Sequence, residues 1–196
     1  YRLDPTIDCY LALLEEAPDG ITRTIIKTVW LGLLYGMGKA KLAGDLGVTF
    51  PQGHFYLCNK GFRPEDRDGR QGADIAPRDD RDFQSAMDDM KRWVELFAAL
   101  GVRAGVLHCG GQNMLRESIP LPQVFERRCQ AVAAVADFAA GTGVTICLEN
   151  LKAPGTMTCG DLLGLIAAVN RPNVAICLDT GHANISGVNC AEFIRE

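Results

Sequence analysis

Histidine is scarce in this sequence: only three of its 196 residues are histidine, and 7% are aromatic. Long apolar runs are also missing, because no stretch reaches the ~18–20 apolar residues that a membrane-spanning helix needs. The net charge of −4 is small and acidic, which argues against nucleic-acid binding through a basic surface. We therefore expect one soluble globular domain, or one domain with an appendage, and no membrane partner.

The eight cysteines lack the close pairing that a zinc knuckle requires. Cys147 and Cys177 lie in apolar, strand-like runs, and Cys129 lies on a predicted helix. Free thiols in such positions behave as small hydrophobic side chains. The pattern predicts a reduced, cytoplasmic protein, and the first residues do not have the composition of a signal peptide.

Strands and helices alternate regularly from about residue 48 onward. The predicted strands are 47–55, 102–107, 144–148 and 174–178. The predicted helices are 82–100, about 121–140, Thr158 to about Val169, and Cys190 to the end, with a long polar loop at 58–81. Short connections between alternating strands and helices predict right-handed βα units on a parallel sheet.

Every histidine lies at or just beyond the C-terminal end of a predicted strand, and two acidic residues share that position. These residues are His54, His108, Glu149, Asp179 and His182. In parallel βα folds, ligands bind and catalysis occurs at that end of the sheet. Carboxylates and imidazoles are also ligands that suit Mn, Mg, Co or Zn.

A purely structural interpretation of the same residues is also open. A histidine at a strand end often forms a hydrogen bond within a loop, and Asp179 could cap the turn that follows it. Asn150 and Asn184 could be turn residues. In the segment CLDTGHAN, residues 177–184, Asp179 and His182 are therefore either a functional pair or polar residues that end a strand.

Four segments, PQGHF, VLHCGG, LENLKAPG and CLDTGHAN, occur in an order and spacing that resemble the xylose isomerase-like barrel superfamily. That group includes sugar and sugar-phosphate isomerases and epimerases and the endonuclease IV type of abasic-site nuclease. The likeness covers about residues 45–196 and is strongest to the small sugar phosphate isomerase/epimerase proteins. It implies an α/β fold, a partial (β/α)8 TIM barrel of about four βα units, in a domain spanning 46–196.

The resemblance also implies roles for the residues at the strand ends. Glu149 matches a glutamate that binds a divalent metal and moves a proton, and Asp179 matches a metal-binding aspartate. His182 matches a metal ligand of the nuclease and a substrate contact of the epimerases, so it is also a catalytic candidate. His108 matches a metal ligand of the nuclease. Predicted substrate contacts are His54, His108, Asn150 and Asn184.

The family barrel has further units beyond the four that this sequence predicts. By resemblance, the seventh and eighth would bring another histidine and a second catalytic glutamate, and neither follows Glu196. We therefore expect a truncated barrel, a homo-oligomer, or a partner chain that completes the barrel. Whether the chain is an enzyme by itself stays open at this point.

The N-terminal part resembles something else. Residues 21–48 look like the nucleotide-binding helix of family A DNA polymerases, in which an Arg and a Lys hold the incoming triphosphate. Arg23, Lys27 and Tyr35 fit that pattern. Positions 23, 27, 31 and 35 step by four and so share one helical face, but Leu31 replaces an expected aromatic residue. The polymerase metal-binding aspartate motifs are missing. We predict a helical N-terminal segment at 1–45, and the alternative to a nucleotide-binding helix within it is an ordinary amphipathic helix.

The predicted function is metal-assisted proton transfer next to the carbonyl of a small sugar or sugar phosphate. One alternative is a non-catalytic fragment or interaction module that keeps a partial metal site. Another is cleavage of abasic-site phosphodiesters on the same scaffold. A fragment of a family A polymerase is the most distant alternative.

Overall fold

The computed structural model describes residues 50–55 and 74–196. Phe50–Glu196 form one compact unit, and the domain boundary near residue 45 stays a prediction. The helical segment predicted at 1–45 lies outside the described residues. So do the candidate nucleotide-binding residues, which are Arg23, Lys27 and Tyr35.

A parallel sheet of four strands organises the described part of the chain. The strands are β1 (Gln52–His54), β2 (Ala104–Leu107), β3 (Thr145–Glu149) and β4 (Val174–Cys177). They lie in sequence order, and each neighbouring pair is parallel. The predicted α/β class with successive βα units is therefore confirmed.

Six helices connect or follow these strands within the described ranges. They are α1 (Asp80–Leu100), α2 (Gln112–Arg116), α3 (Leu121–Ala139), α4 (Cys159–Val169), α5 (Thr180–Ile185) and α6 (Cys190–Arg195). The four longer or terminal helices match the prediction. The short helices α2 and α5 were not predicted, because about one turn is too short to show a helical period. No helix of the described residues is long and apolar enough to cross a membrane.

Capping residues set the ends of the helices. Asp79 caps α1 by accepting from the backbone N–H groups of Arg81 and Asp82, so α1 begins two residues before the predicted start. Gly101 ends α1 in the left-handed conformation, with φ 71°, which a glycine adopts without the steric cost of a Cβ. The predicted capping box of α4 is present, between Thr158 and Asp161.

Strands β1, β2 and β3 start later than predicted, and β4 ends earlier than predicted. β1 starts only after Pro51, which lacks a backbone N–H and cannot donate to a neighbouring strand. β2 starts at Ala104 rather than at Val102, because the N–H of Val102 bonds to the carbonyl of Phe97 at the end of α1. β4 ends at Cys177, before the predicted end at Leu178.

The two faces of the sheet have different surroundings. One face packs against the helices through fully buried side chains, which are Phe55, Leu107, Ile146 and Leu148. Gly105 allows the ring of Phe55 to pack directly against β2, since a Cβ at this position would lie 2.6 Å from that ring. Register places His54, Val106, Cys147 and Ala175 side by side on the other face. Glu149 belongs to this second face, at its carboxyl end.

Candidate metal centre

Glu149 is the centre of a polar cluster at the carboxyl ends of the first three strands. It is the last residue of β3 and only 6% exposed. His54, the last residue of β1, places Nε2 3.0 Å from Oε2 of Glu149. His108, directly after β2, places Nε2 2.8 Å from the same oxygen. The parallel register brings these three residues together from distant points in the sequence.

The fourth strand adds residues on the other side of Glu149. Asp179 follows β4 and caps α5, where its Oδ1 accepts from the backbone N–H of His182 at 2.7 Å. His182 then places Nδ1 3.4 Å from Oε1 of Glu149. Asp179 is thus a strand-exit cap, as the structural interpretation of CLDTGHAN supposed, and it also lies beside the cluster.

Two groups of ligating side chains overlap at Glu149. One contains His54, His108 and Glu149, and the other contains Glu149, Asp179 and His182. Within each group the potential ligand atoms lie within 4.8 Å of one another. Imidazole and carboxylate donors at these separations fit a divalent transition metal, with carboxylate oxygen also suiting Mg or Mn.

Backbone carbonyls orient two of the imidazoles in the way that metal sites require. Nδ1 of His54 lies 2.7 Å from the carbonyl oxygen of Phe55, and Nδ1 of His182 lies 2.9 Å from that of Asn150. A carbonyl can only accept, so Nδ1 donates in both rings. In His54 this leaves Nε2, which faces Glu149, to bind a metal in place of a proton. In His182 it is Nδ1 itself that lies beside Glu149. These bonds support the fit of the cluster to a metal.

His54 has a more central place than the sequence suggested. It was predicted as a substrate contact only, yet it shares an oxygen of Glu149 with His108. Its position as the last residue of the strand next to His108 is the signal that could have identified it. Its assignment to substrate or metal stays a prediction.

The two candidate asparagines differ in their surroundings. Asn150 is buried, and its side chain donates to the carbonyl of Asp179 and accepts from the N–H of the same residue. Asn150 thereby joins the ends of β3 and β4. Asn184 lies exposed on α5. A substrate role for either residue stays a prediction.

Cysteines take no part in the ligating groups found among the described residues. The six described cysteines are free, namely Cys109, Cys129, Cys147, Cys159, Cys177 and Cys190. Burial raises the pKa of the Cys109 thiol to about 12. This thiol is therefore protonated at neutral pH and is not a metal ligand in that form.

The surroundings of Glu149 favour its charged form. Burial acts to raise its pKa, but hydrogen bonds from His108 and His54, together with their charges, outweigh burial and lower the pKa to about 2. The carboxylate is therefore ionised at neutral pH, which is the form that binds a metal.

This shift predicts a pH dependence of stability in metal-free protein. Because the pKa of Glu149 falls from 4.5 to about 2 on folding, the ionised carboxylate stabilises the fold above pH 4.5. That contribution is lost as the pH decreases from 4.5 toward 2. We expect the difference in unfolding free energy between wild type and Glu149→Gln to shrink over this window, measured by urea denaturation with a chelator present. A difference that stays constant with pH would contradict the prediction.

The comparison with protein families agrees with this architecture. A family model described as the xylose isomerase-like TIM barrel matches residues 40–194. The chain therefore belongs to the xylose isomerase-like TIM barrel family, and the predicted partial barrel is confirmed. No curated protein matches the chain, and no comparison supports the polymerase resemblance of residues 21–48.

Several solved structures, among them sugar epimerases, share the fold. A D-tagatose 3-epimerase-like protein is 20% identical, with a TM-score of 0.61 over 80% of this chain and 54% of that chain. D-psicose 3-epimerase with D-tagatose, from Clostridium cellulolyticum H10, is 21% identical, with a TM-score of 0.61 over 94% of this chain and 56% of that chain. The IOLI protein with a binding zinc atom is 19% identical, with a TM-score of 0.58 over 81% of this chain and 52% of that chain.

These similarities, at 19–21% identity, establish a shared fold. The chain spans about half the length of the solved structures that it matches. The activities and ligands of those proteins are therefore a basis for proposals about this chain.

Proposed function

We propose that the cluster around Glu149 binds a divalent metal and supports proton transfer next to the carbonyl of a small sugar or sugar phosphate. The observation that carries this proposal is the convergence of three histidines and two carboxylates at the carboxyl ends of four parallel strands. Ligands bind at this end of the sheet in parallel βα folds.

The residues divide into two sets with a shared member. Glu149, Asp179 and His182 form one set of metal ligands, and Glu149 with the two histidines of β1 and β2 forms the other. A bound Mn, Mg, Co or Zn ion would polarise a carbonyl and the adjacent hydroxyl of the substrate.

The chain must also supply the group that moves the proton. A carboxylate with a pKa of about 2 is a weak base, so Glu149 is better suited to holding a metal than to taking a carbon-bound proton. Of the two catalytic candidates from the sequence, His182 is then preferred when the ion is held by Glu149, His54 and His108, because His182 is partly exposed and not a ligand in that set. In the proposed step, a base takes the proton from the carbon next to the carbonyl, and the electron pair moves onto the carbonyl oxygen. Return of a proton by the same base exchanges it with solvent hydrogen, and inversion of that carbon would need a second acid on the opposite face.

The similar structures suggest which substrates to test. D-psicose 3-epimerases have been solved with D-tagatose and with D-fructose, so ketohexoses are the first choice. Phosphorylated sugars follow, because the sequence resembles sugar phosphate isomerases and epimerases.

Deuterium exchange tests the proposal directly. The chain is incubated with Mn²⁺ and D-tagatose or D-fructose in heavy water, and deuterium on carbon is measured by NMR. We expect Mn²⁺-dependent exchange that Glu149→Gln abolishes and that Glu126→Gln, on the exposed surface of α3, leaves unchanged. Metal binding without exchange of any sugar or sugar phosphate would reject the enzymatic part and favour a non-catalytic module with a metal site.

Abasic-site phosphodiester cleavage is a second candidate because His54 and His108 share one oxygen of Glu149. Histidine-rich metal sites suit hydrolysis of phosphodiesters through metal-bound water. The acidic net charge of −4 opposes binding to DNA. Incubation with a duplex that contains one abasic site separates the two candidates, since only the nuclease would cut it.

A further inference from the structure

Arg128 is a fully buried arginine that bonds to two different loops. It belongs to α3 and has no exposed surface. Its Nε donates to the carbonyl of Gly110 at 2.9 Å, and its Nη1 donates to the carbonyl of Pro154 at 2.7 Å. Its Nη2 is buried without a hydrogen-bond partner among the described residues.

Both carbonyls belong to the loops that follow the central strands of the cluster. Gly110 is two residues beyond His108, and Pro154 is in the loop that follows Glu149. His108 and Glu149 themselves contact each other at 2.8 Å. One guanidinium group therefore links the chain segments directly downstream of both residues of this pair.

The loop after His108 is held from a second direction as well. The buried carboxylate of Asp74 accepts from the backbone N–H groups of Gly111 and Asn113. Gly110 and Gly111 both have positive φ angles, of 73° and 78°. A Cβ at Gly111 would lie 3.1 Å from Nε of Arg128, so the glycine allows this close approach.

The geometry explains why an arginine is present despite the cost of burying it. Removing a cation from water is unfavourable, and hydrogen bonds together with the nearby carboxylate of Asp74 offset that cost. A guanidinium fork reaches two carbonyls in fixed directions, whereas a lysine presents one nitrogen at a single point. Replacement by lysine would keep the charge but lose the link between the loops.

We propose that Arg128 is a positioning residue for the metal centre, which it aligns by tying the loop after His108 to the loop after Glu149. As a statement about metal binding it rests on the proposed function. As a statement about the His108–Glu149 pair it does not, because that contact is a direct one between the two side chains.

The test compares Arg128→Lys with Arg127→Lys. Arg127 precedes it on α3 but bonds to the carbonyls of Pro77 and Arg78, just before α1, and makes no hydrogen bond to Gly110 or Pro154. The first measurement is the NMR shift of the imidazole nitrogens and protons of His108 in metal-free protein at one pH. The second is Mn²⁺ affinity by calorimetry, with the visible spectrum of the Co²⁺-loaded protein as a report on ligand geometry.

We expect Arg128→Lys to shift the ring resonances of His108, to weaken Mn²⁺ binding by about 10–100-fold and to alter the Co²⁺ spectrum. Arg127→Lys should change stability alone. Unchanged His108 resonances in a folded Arg128→Lys protein would overturn the proposal. If wild type binds no metal while Arg128→Lys still shifts His108, the proposed function fails and the positioning role stands.

A milder variant keeps the proposal testable if Arg128→Lys does not fold. Gly155 has φ 73°, and a Cβ there would lie 3.0 Å from Nη1 of Arg128. Gly155→Ala should therefore displace the guanidinium and shift the His108 resonances. Gly101→Ala is the matched control, since its φ is 71° and its Cβ would meet nothing within 4 Å. Equal, negligible shifts in both alanine variants would also overturn the proposal.

Discussion

Glu149→Gln is expected to weaken Mn²⁺ binding by at least about 100-fold, because changes in partners outside the ligand shell alone cost 10–100-fold. Glu149 is the one residue common to both ligating groups in the described part of the chain. Glutamine keeps the size of the side chain but removes the negative charge. Isothermal calorimetry on folded, metal-free protein measures the effect.

The matched control is Glu126→Gln, which makes the same chemical change at an exposed position of α3. It should bind Mn²⁺ as wild type does. If Glu149→Gln kept the wild-type affinity, the metal would bind elsewhere and the assignment of this centre would be wrong. A parallel loss in Asp179→Asn would show that the set from β3 and β4 holds the ion.

Leu162→Ala is expected to lower the free energy of unfolding by about 2–5 kcal/mol, because it opens a cavity in the packed core. Leu162 is on α4, is 0% exposed and belongs to the core cluster. Such a loss is a large share of the ~5–15 kcal/mol that stabilises a typical domain. Urea denaturation followed by circular dichroism gives the value.

The adjacent residue provides the control for this change. Leu163 is on the same helix but is 42% exposed, so Leu163→Ala should change stability by no more than about 0.5 kcal/mol. Both substitutions have the same effect on helix propensity, and their difference isolates burial. Similar losses for the two variants would mean that α4 does not pack as described.

Several features of the fold followed from local patterns in the sequence. Met87, Met90, Val94 and Phe97 recur at helical spacing, and all four are buried on α1. The Thr158–Asp161 capping box marks the start of α4 because both of its hydrogen bonds are local. Alternating strands and helices also predict a parallel sheet. The crossover helix returns the chain to the end of the sheet where the preceding strand began, so the next strand runs in the same direction.

Other features required contacts between distant residues. The start of β2 depends on a bond between Val102 and Phe97, and the central place of His54 depends on its register with β2. Asp74 and Arg128 carried no signal in the sequence analysis. Their partners lie 37 and 18 residues away along the chain.

The sequence by itself determined the order of strands and helices and the placing of histidines and acidic residues at strand ends. The reason is that hydrophobic periodicity and helix capping depend on residues close together in the sequence. The tertiary structure decided that His54, His108 and His182 converge on Glu149, and that Asn150 pins the end of β4. It also placed the buried Arg128 between the loops that follow His108 and Glu149. The physical reason is that register and loop packing are set by contacts between residues far apart in the sequence, which no local pattern specifies.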